Sequence, residues 1–337
     1  MTEKQYYREK GVSASSLKWF ESSPKYFKKR MDEEIVDEKK SWLELGKKVH
    51  MSILEPDEFE KNYIYLEYTQ PSSPNQKKFC EEYVSLRKKH PKATKKSHKI
   101  KAYSKSYNVK SKKEDYIEKE ANKLYNRLKD YINYLEKSNE YKDVLSKSEW
   151  DKVIELKEET FEHPSAKDIM ALDRDPLNTN IEGISELVIF WRYPEIDLQC
   201  KSMLDRIVID HKQKIIRLID VKTSSNIGNF NESFENYKYY RQLSFYWMAL
   251  HYALTKGELK DKVSNIDEYK KETYILALST KEVPEARLYE IDENYLNLGL
   301  SEIEEIIPKI KWHFDNNKWN HTKESYENNG IEKLKYT

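Results

Sequence analysis

The chain has 337 residues, enough for one large or two ordinary domains, and 35% of them are charged against 38% hydrophobic, so much of it must be surface or exposed helix. Its net charge of +1 names no partner by itself. Its two cysteines, Cys80 and Cys200, form no CxxC, which excludes a zinc knuckle or a four-cysteine iron–sulfur cluster built from the chain's own thiols.

No apolar run is long enough to span a bilayer, and Met1–Val12 does not read as a signal peptide, so a soluble, cytoplasmic protein with no membrane partner is expected. In chain order, SASSL opens the first helix with Ser13 as N-cap, and Leu17, Phe20 and Phe27 fall on its apolar side. Pro24 breaks or restarts it, and Lys25–Glu38 is charged and expected to be exposed. Ser41–Leu54 (SWLELGKKVHMSIL) is a second helix ended by Glu55-Pro56, with Leu43, Gly46 and His50 on one face, followed by Ile53 and Leu54. A mid-helix glycine costs roughly 1 kcal/mol against alanine. Gly46, one of only seven glycines, therefore implies close approach of another backbone or a ligand one turn before His50. A lone histidine on such a face is more often a core residue than a metal ligand.

Tyr63–Ser85 is interrupted by Pro and Ser. Arg87–Lys113 then carries 12 Lys and Arg and no Asp or Glu, an asymmetry that suits either contact with a polyanion or a solvated loop. Tyr103 and Tyr107 within it are of a type that stacks on bases, although tyrosine is abundant throughout. Glu114–Leu145 places Ile117, Ala121, Leu124, Leu128, Tyr131 and Leu135 at heptad-like spacing and is expected to be one long amphipathic helix. Ser148–Phe161 continues helically to His163-Pro164-Ser165, and Ala166–Leu172 is a further short helix.

Ser185–Arg192 (SELVIFWR) reads as a strand with Glu186 at its start. Met203–Ile209 and Ile215–Val221 flank a polar break, Asp210–Lys214, and form an expected antiparallel hairpin. If the turn centres on Lys212–Gln213, Asp210 pairs with Ile215 and Asp205 lies opposite Asp220, with Lys222 on the same face as both acids. Their neighbours are apolar on both faces, so the strands belong to the interior, where two facing carboxylates repel and raise one pKa. A divalent cation bridging them, Mg²⁺ or Mn²⁺ by the hardness of oxygen ligands, relieves that repulsion. The alternative is a solvated strand face with a surface Asp–Lys pair. After a polar turn at Asn226–Asn231, Glu232–Thr255 is expected to be a helix that aligns Gln242, Tyr246 and Ala249 near the hairpin's carboxyl end. Tyr274–Ser279 and Ala286–Ile291 are two more strands, Asn294–Asn316 a helix, and the tail from Asn320 polar and loosely held. This order suits an α/β (α+β) fold in which a mixed sheet is flanked by helices.

The combined pattern resembles the PD-(D/E)xK nucleases, and within them the RecE-type exonuclease VIII branch, relatives of lambda exonuclease and the RecB nuclease domain. The matching segments are SASSLKWFESSPKYF, LGKKVHMSILEPDEF with its G-x-x-x-H, SELVIFW, CKSMLDRI, IDVKTSS and the Q-x-x-x-Y of RQLSFY, in the family's order. The resemblance implies a restriction-endonuclease-like core over 1–60 and 166–337, interrupted by a variable helical insertion at 61–165. It implies His50, Asp205 and Asp220 as metal ligands, with the Val221 carbonyl as a fourth, and Lys222 as the lysine that polarises the attacking water. Gln242 and Tyr246 would sit at the rim, positioning the lysine or the DNA strand. Glu186 corresponds to an acid that many members carry on the strand before the hairpin. One departure stands out: Met203 and Leu204 occupy positions where the family usually has Arg and Pro, so Lys201 or Arg206 is expected to supply the missing phosphate contact.

The activity implied is a Mg²⁺-dependent 5′→3′ exonuclease on double-stranded DNA ends, forming a homo-oligomeric ring and passing 3′ single strands to an annealing recombinase. Within the nucleases the rivals are an endonuclease or a single-strand exonuclease. Outside them, a catalytically silent DNA-binding recombination protein would be expected to have lost an acid or the lysine, and an RNA-binding module would leave the hairpin acids unexplained.

Overall fold

The structure is a computed structural model describing residues 3–35, 41–68, 70–109, 113–138, 143–174 and 177–333. The chain divides into two compact units, Met1–Leu54 with Glu155–Thr337, and Glu55–Ile154. The first unit opens with α1 (Glu3–Arg8), α2 (Ala14–Ser22) and α3 (Pro24–Met31), then α4 (Ser41–Leu54). Ser13 caps α2 as expected and forms a capping box with Ser16, while Ser23 and Pro24 stop α2 and start α3. Of the charged stretch Lys25–Glu38, 36–38 lie outside the described residues.

The second unit holds α5 (Pro56–Asn62), β1 (Tyr63–Tyr65), α6 (Pro74–Lys89), α7 (Lys95–Tyr107), α8 (Glu114–Arg127), α9 (Lys129–Lys137) and β2 (Asp143–Leu145), which pairs in parallel with β1. The basic tract is thus largely helical rather than a loop, with Lys110 and Lys112 outside the described residues. Glu114–Leu145 is not one helix. The apolar positions Ile117, Ala121, Leu124, Leu128 and Tyr131 are buried as their spacing requires, but Leu128 sits between α8 and α9 with φ −108° and ψ 17°, outside helical values.

After α10 (Lys147–Glu162) and α11 (Pro164–Ala171) come β3 (Ile181–Tyr193), β4 (Leu198–Asp210) and β5 (Ile215–Ser224). The chain continues through α12 (Phe230–Asn236) and α13 (Tyr239–Thr255) to β6 (Lys270–Ser279), β7 (Ala286–Glu290), α14 (Glu293–Asn316) and α15 (Lys323–Glu327). The five strands form one sheet in the order β3-β4-β5-β6-β7. All pairs are antiparallel except β5–β6, which are joined by the α12–α13 crossover and run parallel. This is the mixed sheet flanked by helices that the element order implies.

The hairpin turn follows from Asp210, whose Oδ1 accepts from the Lys212 and Gln213 amides (3.0 and 2.8 Å). The register is as expected, from Asp210↔Ile215 to Arg206↔Ile219. Ile207, Ile209, Ile216 and Leu218 share one apolar core with Leu243, Ala249 and Leu250 of α13 and Ile303, Ile307 and Ile310 of α14. Two expectations fail locally. The helix placed at Glu232–Thr255 is broken at Lys238, which takes a left-handed backbone (φ +53°) between α12 and α13. The tail from Asn320 contains α15, whose Tyr326 ring lies 5.8 Å from Trp312 of α14. Among the described residues no helix is long and apolar enough to cross a membrane.

Candidate active site

The acids sit where the sheet's ladders open. On one side of β4, Ser185 pairs with Arg206 and Leu187 with Leu204; between them Glu186 adopts φ +49°, a conformation L-residues seldom take. On the other side the β4–β5 pairing ends at Arg206↔Ile219, one step before Asp205. There the Val221 amide donates to Asp205 Oδ2 at 2.7 Å, so a side chain replaces the next rung. Asp205 is 8% exposed and Asp220 1%: both carboxylates are nearly out of water.

α4 brings in His50. Gly46, one turn earlier, faces β5 so closely that a Cβ there would lie 3.1 Å from Thr223 Oγ1. That supplies the close approach its sequence position implies. The helix buries Val49, Ile53 and Leu54, whereas Leu43, expected on the His50 face, is exposed. His50 Nδ1 lies 3.8 Å from Asp205 Oδ2. Ligand atoms of His50, Glu186 and Asp205 all lie within 4.8 Å of one another, a grouping able to hold a metal ion. The family resemblance groups His50 with the two aspartates; the structure gathers it with Asp205 and Glu186, while Asp220 pairs with Lys222.

Lys222 Nζ forms an ion pair with Asp220 Oδ2 at 2.5 Å and lies 5.0 Å from the centre of the Tyr239 ring. Gln242 Nε2 donates to Tyr246 Oη (2.7 Å) and to Asp220 Oδ1 (3.3 Å), so the Q-x-x-x-Y pair of α13 braces the second acid. Burial raises the Asp220 pKa to about 7; Lys222 opposes that rise and Asp205 adds to it. For Lys222 burial works downward, but Asp220, Asp205 and Tyr239 outweigh it and hold the ammonium above its ordinary value. His50 is lowered, chiefly by burial, which keeps the imidazole neutral and its lone pair on offer. Tyr246 is held well above its ordinary value by burial, with Asp220 and Asp205 adding to it.

The carboxylates of Asp205 and Glu186 gathered with a neutral imidazole, and the buried Asp220 carboxylate on the neighbouring strand, are the donor chemistry a hard divalent cation needs. The two cations expected to contact phosphate are committed elsewhere. Lys201 Nζ donates to the Tyr6 and Glu9 carbonyls (2.8 Å each), holding α1 to β4. Arg206 is 3% exposed, paired with Asp173 and bonded to Ser185 Oγ (2.9 Å) and the Met170 carbonyl (3.2 Å). Neither is placed to replace the missing family arginine. Tyr239 was not anticipated as a neighbour of Lys222; its only signal is an aromatic three residues before Gln242.

A family model described as "PDDEXK-like domain of unknown function (DUF3799)" matches residues 13–328. No curated protein matches the sequence. Among solved structures, a chain from Eubacterium rectale described as a "Putative exonuclease" aligns over 100% of this chain and 96% of its own, at 14% identity and a TM-score of 0.47.

Proposed function

Because the chain belongs to the PDDEXK-like DUF3799 family, we propose that it is a divalent-metal-dependent nuclease, and specifically an exonuclease on double-stranded DNA ends that degrades 5′→3′. The observation that carries the nuclease reading is the convergence of His50, Glu186 and Asp205 within 4.8 Å beside an Asp220–Lys222 pair on the same hairpin. Preference for ends and polarity rest on the narrower likeness of the sequence motifs to RecE-type exonucleases, as does the handover of 3′ single strands to an annealing partner.

His50, Asp205, Glu186 and Asp220, with the Val221 carbonyl, are the groups that would hold Mg²⁺ or Mn²⁺, which when bound screens phosphoryl oxygens and eases deprotonation of water. The chain's own residues do the rest. Lys222, kept protonated, donates to the attacking water or to a non-bridging phosphate oxygen, and offsets charge as it develops. Gln242 fixes the Asp220 carboxylate, and Tyr246 fixes Gln242.

Linear duplex carrying separate labels on the 5′ and 3′ ends tests this, with circular duplex alongside and Mg²⁺ present or chelated. The 5′ label should be released first, circular duplex spared, and EDTA should stop the reaction. Lys222→Ala should slow cleavage by about 10²–10³-fold, the usual effect of deleting a transition-state donor. Equal cutting of circular duplex would replace the exonuclease by an endonuclease. Undiminished activity in EDTA or in Lys222→Ala would sink the assignment.

A further inference from the structure

Four aromatic rings form a ladder beside the site. Tyr289 of β7 lies 5.1 Å from Phe230 (interplanar angle 15°), Phe230 lies 6.1 Å from Tyr239 (28°), and Tyr239 lies 5.7 Å from Tyr237 (25°). Tyr239, the third ring, meets the Lys222 ammonium at 5.0 Å. Tyr237, the end ring beyond it, is 57% exposed, a large apolar face in water, with Lys18 Nζ 4.7 Å from its ring centre.

The alignment of Tyr237 and Tyr239 is imposed. Two residues apart in a continuous helix, their side chains would diverge by about 200°. Lys238 between them takes φ +53° and ψ +48°, which turns both rings to one side. A left-handed backbone costs a non-glycine residue about 1–2 kcal/mol. Here it is held by ion pairs from Lys238 Nζ to Glu21 Oε1 (3.0 Å) and Glu302 Oε2 (3.1 Å). Strain kept in place next to reactive groups calls for a use at the site, and more than half of Tyr237 remains in solvent.

Resting on the nuclease reading above, we propose that Tyr237 is a stacking platform for an unpaired nucleobase of the DNA strand whose backbone enters at Asp220 and Lys222. Lys18 supplies the cation: its flexible side chain leaves the ring face for the phosphate next to the stacked base. Every base has a π-face, so such a platform holds a strand without reading its sequence, as a nuclease that moves along DNA needs. Tyr237 is thus a positioning residue, and Lys222 remains the reactive group.

The probe is a duplex with a short unpaired end carrying 2-aminopurine at its last nucleotide, titrated with protein in EDTA so that nothing is cut, and then used in Mg²⁺ for steady-state kinetics. Wild-type protein should quench the fluorophore. Tyr237→Ala should abolish the quench and raise KM about tenfold, the scale of one lost base stack, with kcat changed less than about twofold. Tyr237→Phe and Tyr237→Trp should restore both. A Tyr237→Ala protein that quenches and cuts like wild type overturns the platform and leaves the nuclease reading standing. A wild-type protein that neither binds nor cuts the probe overturns both. Stronger quenching of an otherwise identical RNA probe would overturn DNA as the occupant.

Discussion

Asp220 carries the largest electrostatic conflict in the site, and its sign leads to a test. Its carboxyl is 1% exposed and its pKa is raised from 3.8 to about 7, by burial first and by Asp205 in addition, against the pull of Lys222. A group whose folded pKa lies above its unfolded pKa stabilises the fold fully below the unfolded value and loses that contribution as pH rises through the folded one. In metal-free protein the Asp220 contribution therefore fades between pH 3.8 and about pH 7. Asp220→Asn keeps the shape and the acceptor for Gln242 without the titration. In EDTA this variant should melt above wild type at pH 8, and the gap should close toward pH 5. For a chain of this size, on the order of 1–2 °C separates proteins that differ by 1 kcal/mol. Mg²⁺ should raise the wild-type melting temperature more than that of the variant. A gap that does not change with pH would mean that Asp220 is ionised at no net cost in the folded chain. The register from Asp210↔Ile215 to Arg206↔Ile219 was legible because strand side chains alternate and the hairpin turn sets the pairing, but not that the ladder ends there, one step before Asp205. The inward commitment of Lys201 and Arg206 was not legible either, since it depends on α1 and on Asp173, far away in sequence.

Among the elements, α13 is placed by how closely α14 can approach it. Gly299 of α14 faces α13 so tightly that an added Cβ would lie 2.8 Å from the Arg241 Cα and 2.9 Å from the Tyr240 carbonyl. Both are backbone, so neither can swing away. Arg241, 3% exposed, pairs on the same side with Glu21 of α2 (2.6 Å) and Glu302 of α14 (3.1 Å), and Gln242 follows it directly. Gly299→Ala must therefore push α13 outward. It should destabilise by about 1–3 kcal/mol, the range for overpacking a tight interface, read by urea denaturation, and should lower cleavage by shifting Gln242. Wild-type stability with wild-type activity would show that the helices separate freely. The period of an apolar stripe announces a helix but not where it is interrupted. Leu128 and Lys238 both lie inside patterns that read as continuous, and neither is a glycine or proline that would have marked the break. Glu186 is a similar case. The family resemblance suggested a site acid, but its φ of +49°, beside His50 and Asp205, follows from sheet pairing that one strand's sequence does not contain.

At the scale of the whole molecule, the unit Glu55–Ile154 has its own core, Phe79, Tyr83, Val84, Ala102, Leu124, Leu128, Tyr131 and Ile132, with α6 and α7 presenting the basic tract. Composition alone left two possibilities for that tract, a solvated segment or a phosphate-binding surface, and the structure narrows the arithmetic. Arg87 pairs with Glu136, Lys96 with Glu118 and Lys105 with Glu82, each at 2.5–2.6 Å, while Lys99 bonds Asn122 and lies over the Tyr125 ring. These cations are partly spent inside the unit. Lys88, Lys89, Lys92, Lys95, Lys101 and Lys113 are exposed. Each lysine that meets a phosphate on duplex DNA releases counterions and adds about 0.9 to the slope of log K against log salt. In the full chain, a Lys88→Gln, Lys89→Gln, Lys92→Gln triple variant should therefore reduce that slope by about 2–3 if all three touch phosphate. Turnover at saturating DNA should stay unchanged, because the reactive groups are carried by α4 and the sheet. The three side chains are exposed and no core residue changes, so the fold should survive, as a circular-dichroism melt would check. An unaltered salt slope would identify the tract as two solvated helices and leave phosphate binding to the sheet-bearing unit alone.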